Sequence, residues 1–197
     1  MARKRSLDDG PVLRAAIMDA SAVLFYERGF GATSIRDIAE AVGISSSTMY
    51  HHFTNKQDIL HACVARFMGD FVAATVPVLR DPDRSPTDRI REMVRLHLEI
   101  SDDRRTELLV GNPIRHALNP EQQKEGVALQ QAYHDAVRAA IAEGRARGEF
   151  ATADPEIATM AVLDMLNGVR EWYHADGPLS RDEVIDMYTE IVFKILR

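Results

Sequence analysis

Cysteine is almost absent: Cys63 stands alone among 197 residues. No disulfide can close within the chain, and a reducing compartment such as the cytoplasm is expected. Aromatic residues are few, at 7 %, so the core must be built mainly from aliphatic side chains. No alternating Val, Ile and Thr run is bounded by hairpin turns, which argues against a sheet. No uninterrupted apolar run approaches the roughly 18 residues of a membrane span, so no membrane partner is expected. The start, Met1 to Ser6, is basic like the head of a secretion signal. Leu7-Asp8-Asp9-Gly10-Pro11 follows where an apolar stretch would be needed, so export is not expected.

A strong positive balance is lacking too. The net charge is −6, which argues against wholesale non-specific binding to nucleic acid. The first 60 residues carry seven Lys/Arg and seven Asp/Glu and are neutral, so the remainder supplies all of the excess acid. Any DNA-contacting face therefore belongs near the N-terminus. Catalytic constellations are equally scarce. A di-iron bundle needs two Glu-x-x-His motifs, and only Glu171 to His174 fits. There is no Gly-x-Ser-x-Gly elbow and no phosphate loop. Cys63 lies on an apolar helical face without a basic neighbour in sequence and reads as packing. No metal, no cofactor and no enzymatic activity are expected.

Helical spacing is what the chain has in abundance. Leu13, Ile17, Ala20, Leu24 and Phe25 mark a first helix over roughly 12–28, with Gly29 placed to end it. Thr33 or Ser34 opens a second through Ala41, Ser45 caps a third to about His52, and Asn55 opens a fourth. Ser85-Pro86, Asn119-Pro120 and Asp154-Pro155 each set a capping side chain before a proline at the first helical position. Ser180 and Glu183 form a capping box. The fold class is all-α, with about nine helices: a three-helix N-terminal unit over 1–55 and a bundle of about six over 56–197.

The most specific signal is the run from Gly29 to Lys56. Ile35, Ile38, Ala39 and Val42 give one short helix its apolar side, and Gly43 permits the turn. Ile44, Met49 and Phe53 hold the next helix from behind, leaving Ser46, Ser47, Tyr50 and His51 facing outward. That is the pattern of a helix-turn-helix, whose second helix enters the DNA major groove.

Gly29-Phe30, Thr33-Ser34-Ile35-Arg36-Asp37-Ile38-Ala39, Gly43-Ile44-Ser45, Thr48-Met49-Tyr50, His52-Phe53 and Lys56 together resemble the TetR family of transcriptional regulators, over residues 12–60. The resemblance implies a homodimer whose homeodomain-like DNA-binding domain is followed by a ligand-binding and dimerisation domain. By position it implies phosphate contacts from Thr33, Tyr50 and Lys56, capping of the recognition helix by Ser45, and base or phosphate contacts from Ser46, Ser47, Thr48 and His51, with Ser34 and Ser45 also counted among the DNA-binding residues. Many relatives carry Lys-Gly where Ser46-Ser47 stands here, which leaves the bases read open. Arg3, Lys4 and Arg5 form a basic arm suited to the adjacent minor groove, or simply a solvated start.

Trp172-Tyr173, Gly177-Pro178-Leu179-Ser180, Glu183-Val184 and Tyr188 resemble a subgroup of that family, the regulators of fatty-acid and steroid degradation that respond to acyl-CoA thioesters. This implies a pocket for an apolar or acyl-CoA effector, for which Phe67, Met68, Phe71, Met93, Leu96, Leu109, Tyr133, Met160 and Met165 are candidates. His97, His116 and His134 are placed to offer it an inward polar group. Arg104 and Arg105 suit an anionic head group or a solvated loop. In the family the last two helices usually dimerise, which points to Val162, Leu166, Val169, Tyr173, Ile185, Tyr188, Ile191, Val192 and Ile195. A second reading remains open on the neutral charge of the first 60 residues: a small-molecule-binding or protein-interaction bundle without DNA binding.

Overall fold

A computed structural model describes residues 10–114 and 118–197, with side chains at all of these except 111–114. Arg3, Lys4, Arg5 and His116 lie outside the described residues. Among the described residues there are nine helices and no strand: α1 (Gly10–Arg28), α2 (Ile35–Val42), α3 (Ser46–His52), α4 (Lys56–Leu79), α5 (Pro86–Asp103), α6 (Arg105–Ile114), α7 (Pro120–Ala146), α8 (Pro155–Trp172) and α9 (Arg181–Ile195).

Local chemistry sets most of these boundaries. Ser34 caps α2 through a complete capping box with Asp37, and Ser180 does the same for α9 with Glu183. Ser45, Ser85 and Asp154 accept from backbone N–H groups that the first turn of a helix leaves without a partner. Asn119 Oδ1 does so for Glu121 and Gln122. Gly43 ends α2 at φ +76°, the left-handed region that a Cβ opposes. Arg104 leaves helical geometry (φ −116°, ψ 32°) and separates α5 from α6.

The chain divides into two compact units: residues up to Phe67 with Thr106–Gly126, and Met68–Arg105 with Val127–Arg197. In the first, α1 packs on α2 and α2 on α3. Their core gathers Ile17, Phe25, Ile38, Met49, Phe53, Ile59 and Leu60, joined by Val110 of α6 and by Leu118. Phe25 and Phe30 meet edge-to-face at 5.1 Å. In the second, α5 packs on both α8 and α9, which also touch each other. Arg89, buried in α5, is neutralised by Glu143 of α7 at 2.7 Å.

By length and mean hydropathy α4 alone passes as a membrane span among the described residues. Its apolar face instead supplies core, with Ile59, Leu60, Phe67, Phe71 and Leu79 all buried. Cys63 is buried there too, its Sγ donating to the Met18 carbonyl. Burial pushes this thiol up to about 12, which leaves it uncharged and inert.

Candidate functional site

The outward face of the first unit is built around α3. Met49 is completely buried and fixes the helix from behind. Ser45 Oγ accepts from the Thr48 N–H at 3.0 Å and lies 2.9 Å from the Thr48 hydroxyl. Ser47, Tyr50 and His51 are exposed, and Ser46 is half-buried. The helix therefore presents a start rich in hydroxyls, then a phenol and an imidazole.

Several residues assigned outward roles by sequence are turned inward. Thr33 is buried, and its hydroxyl donates to the carbonyls of Leu24 and Gly29. A hydroxyl committed to the end of α1 does not reach a phosphate, which corrects the contact assigned to it. The Lys56 ammonium donates to the carbonyls of Phe30 and Thr33, the latter at 2.6 Å, and lies over the Phe30 ring. It fastens the loop before α2 rather than standing free. Ser34 is exposed, but its hydroxyl donates to Asp37 at 2.6 Å, and those bonds hold the Asp37 carboxyl below its usual range. The Thr48 hydroxyl is engaged with Ser45.

Lys56→Ala is accordingly expected to destabilise the first unit by about 1.5–3 kcal/mol, the range for hydrogen bonds from a charged donor. Its salt slope for DNA binding should fall by less than the ~0.9 that loss of one phosphate contact produces. Urea unfolding and a salt titration check both parts.

Sequence reasoning overlooked Arg14. Its guanidinium donates to the His52 carbonyl at 2.9 Å and lies 4.1 Å over the Phe53 ring. The last carbonyls of a helix need such donors, so α1 steadies the far end of α3. No spacing rule identifies it, because Arg14 follows the buried Leu13 on α1 like any surface cation. Arg14→Ala should cost about 1–2 kcal/mol and weaken DNA binding roughly tenfold by fraying α3. Unchanged melting and affinity would rule this role out.

The second unit buries an aromatic and polar cluster. Phe71 (α4), His97 (α5) and Tyr133 (α7) meet with ring centroids 5.0 to 5.9 Å apart. His97 Nδ1 lies 3.0 Å from the Tyr133 hydroxyl. Burial, helped by the nearby Arg170 charge, brings the His97 pKa down to about 4, and burial raises that of Tyr133. Both are neutral at ordinary pH. Met93 is fully buried in this unit, while Met68, Leu96 and Met165 are half-buried. Phe67 and Leu109 belong to the first unit. Met160, assigned to the pocket from sequence, is 42 % exposed and is not part of the buried core. His134 is half-buried, 3.7 Å from Glu156, rather than inward. Arg104 pairs with Asp70, and Arg105 donates to the Tyr173 carbonyl, so neither lies in a solvated loop. Away from these residues, an open groove of about 660 Å³ is lined by Thr87, Arg91, Glu149, Phe150 and Phe193, among others.

The stripe assigned to dimerisation also needs correction. Val162, Leu166, Val169, Tyr173, Ile185 and Val192 are buried within the chain itself. Their face of α8 and α9 serves the unit's own core. Tyr188 and Ile195 are half-buried, and Ile191 is exposed. Ile157, Met160, Trp172, Met187 and Ile191 are instead 40 to 58 % exposed. Trp172 stacks on Tyr188 at 6.1 Å and joins the two exposed stripes.

Comparison with known proteins gives this geometry its context. Residues 17–63 match the pattern of bacterial regulatory proteins of the tetR family, and residues 83–196 match the tetracyclin repressor-like C-terminal domain. The chain belongs to the TetR family. The TetR-family regulator PfmR of Thermus thermophilus is 30 % identical, with a TM-score of 0.84, over 92 % of this chain and 98 % of that one. The transcriptional repressor KstR2 of Mycolicibacterium smegmatis is 24 % identical, over 91 % of this chain and 88 % of its own. AibR, solved with isovaleryl coenzyme A and operator DNA, shares the fold at 24 % identity and a TM-score of 0.83, over 91 % of this chain and 97 % of that one. As a TetR-family protein the chain is a ligand-responsive, DNA-binding transcriptional regulator with a helix-turn-helix, and not an enzyme.

Proposed function

We propose that this regulator is a repressor that binds a palindromic operator as a homodimer and is released by an acyl-CoA-type effector. Residues 1–55 act on DNA and 56–197 bind effector and partner. The observation that carries the DNA reading is the face of α3: anchored by the buried Met49, capped by Ser45, and exposed at Ser47, Tyr50 and His51. Ser46, Ser47 and His51 take the base edges and Tyr50 a phosphate, with backbone N–H groups at the helix starts beside Ser34 and Ser45 as further phosphate donors. Serine both donates and accepts, so Ser46 and Ser47 discriminate bases weakly. His51 then carries more of the sequence preference. Arg3, Lys4 and Arg5 add minor-groove contacts.

The acyl-CoA class is supported by the isovaleryl coenzyme A named for AibR and by the apolar, sparsely polar interior of the second unit. Repression follows the activity named for KstR2. The effector acts by binding one separation of the two recognition helices more tightly than the other, since a ligand indifferent to the two states shifts nothing. Selection of bound duplexes from a random pool tests the whole reading. A palindrome with half-sites one helical turn apart, about 34–36 Å or a small multiple, is expected. Recovery of no common sequence, with and without acyl-CoA thioesters, would refute it.

A further inference from the structure

The open groove of the second unit carries charge of both signs that the chain itself does not use. Its volume is about 660 Å³, within the range of small-molecule sites. Arg91, Lys194 and Arg197 stand exposed on its rim, and no ion pair or side-chain hydrogen bond engages them among the described residues. Asp186 and Glu190 line it too and are equally unengaged. Glu190 and Lys194 even stand four apart on α9, the spacing of a helical ion pair, and form none. Glu149, by contrast, is spent at the start of α5, accepting from the Thr87 N–H at 3.0 Å and the Thr87 hydroxyl at 2.7 Å.

The floor is aromatic and already built. Phe150 is buried, its ring set so close on Gly144 that no Cβ would fit there. The Phe150 and Phe193 centroids are 6.3 Å apart, and the Arg91 guanidinium lies 5.1 Å from the Phe193 centroid, over that ring. Thr189 lines the groove at 6 % exposure, and its hydroxyl has no hydrogen-bond partner among the described residues. The charges are sorted along α9: the carboxylates of Asp186 and Glu190 come first, the cations of Lys194 and Arg197 last. From Asp186 to Lys194 the axis rises about 12 Å, a span that a nucleoside bridges.

We propose that this groove binds an adenine nucleotide. Lys194, Arg197 and Arg91 take the phosphates, the base lies against the Phe193 ring and the Arg91 guanidinium, and its exocyclic amine donates to Asp186 or Glu190. Bases stack on both kinds of plane. A bare phosphate would leave the rings idle, and an apolar ligand would desolvate charges without pairing them. The sorting also keeps the phosphates a nucleoside's length away from the carboxylates. The same chemistry recognises a free nucleotide or the nucleotide end of coenzyme A. The second source rests on the effector reading above, the first does not.

The test titrates ADP and coenzyme A calorimetrically into the full-length protein, beside adenosine, inorganic pyrophosphate and IDP, which carries a carbonyl in place of the adenine amine. ADP or coenzyme A is expected to bind, and IDP and each separate half about tenfold or more weakly. Arg91→Ala combined with Lys194→Ala should cost tenfold or more and shallow the salt dependence, without loss of folding, because both side chains are exposed. Phe193→Leu should weaken every ligand that carries a base. Equal affinity for ADP and coenzyme A would show that the groove reads a nucleotide from either source, and a preference for coenzyme A that the double variant abolishes would name that source. Binding of neither, equal binding of IDP, or binding indifferent to the double variant overturns the proposal. Isovaleryl-CoA separates the two readings. If the double variant binds it as the wild type does, the effector reading stands and this groove is not its site. If the wild type binds ADP in the groove but no acyl-CoA, the groove stands and the effector reading falls.

Discussion

Met160→Glu combined with Ile191→Glu is expected to give a folded monomer that binds operator at least about 100-fold more weakly. Met160 is 42 % and Ile191 40 % exposed in the isolated chain, so the exchange removes only part of each side chain's internal packing. In a homodimer that buries this face, it places a charge against apolar surface on each partner. Desolvating an unpaired carboxylate costs several kcal/mol, enough to offset a standard interface of about 800 Å² per partner. A monomer reaches one half-site and forfeits the second set of contacts. Sedimentation equilibrium reads the mass, and a duplex titration reads the affinity. The control is Val162→Glu, on the inward side of α8: Val162 is completely buried, and this variant should not fold. If the double variant remained dimeric, the α8–α9 face would not be the interface.

Acid should destabilise the second unit through His97. Its folded pKa is depressed to about 4 from the ordinary 6.5. The unfolded chain therefore takes up a proton as the pH falls through about 6.5, while the folded chain refuses one until about 4. This contribution to stability is fully present above the unfolded pKa and is lost as pH falls through the window between the two values. Linkage makes the loss about 2 kcal/mol between pH 7.5 and pH 5. His97→Leu removes that share of the dependence. Urea unfolding of the two proteins at both pH values should show the wild type losing about 2 kcal/mol more than the variant. Equal losses would mean that His97 accepts its proton in the folded state.

What the sequence made legible follows from the range of the interactions. The caps at Ser34, Ser45, Ser85, Asp154 and Ser180 and the positive φ at Gly43 act within a few residues, so adjacent letters announce them. The helix-turn-helix was readable for the same reason. Thr33 and Lys56 show the limit. A hydroxyl and an ammonium near a helix start look available in sequence, and only the approach of the α1 end and the Phe30 loop turns them inward. The stripes of α8 illustrate a second limit. That helix is apolar on two sides, Val162 and Leu166 on one, Ile157 and Met160 on the other. Periodicity finds both but does not say which side the chain covers with its own helices. The pairing of His97 with Tyr133, 36 positions apart, lies beyond any local pattern.

The seclusion of Cys63 has a practical consequence. Its thiol is buried, bonded to the Met18 carbonyl and held protonated, so reagents that attack thiolates pass it by. For surface chemistry the native chain behaves as though it had no cysteine. A single thiol introduced at the exposed Thr54, just beyond the recognition helix, would take a spin label or dye alone. Two such labels in a homodimer would form a molecular ruler between the recognition helices, and the ruler's reading with and without effector would measure the allosteric stroke itself.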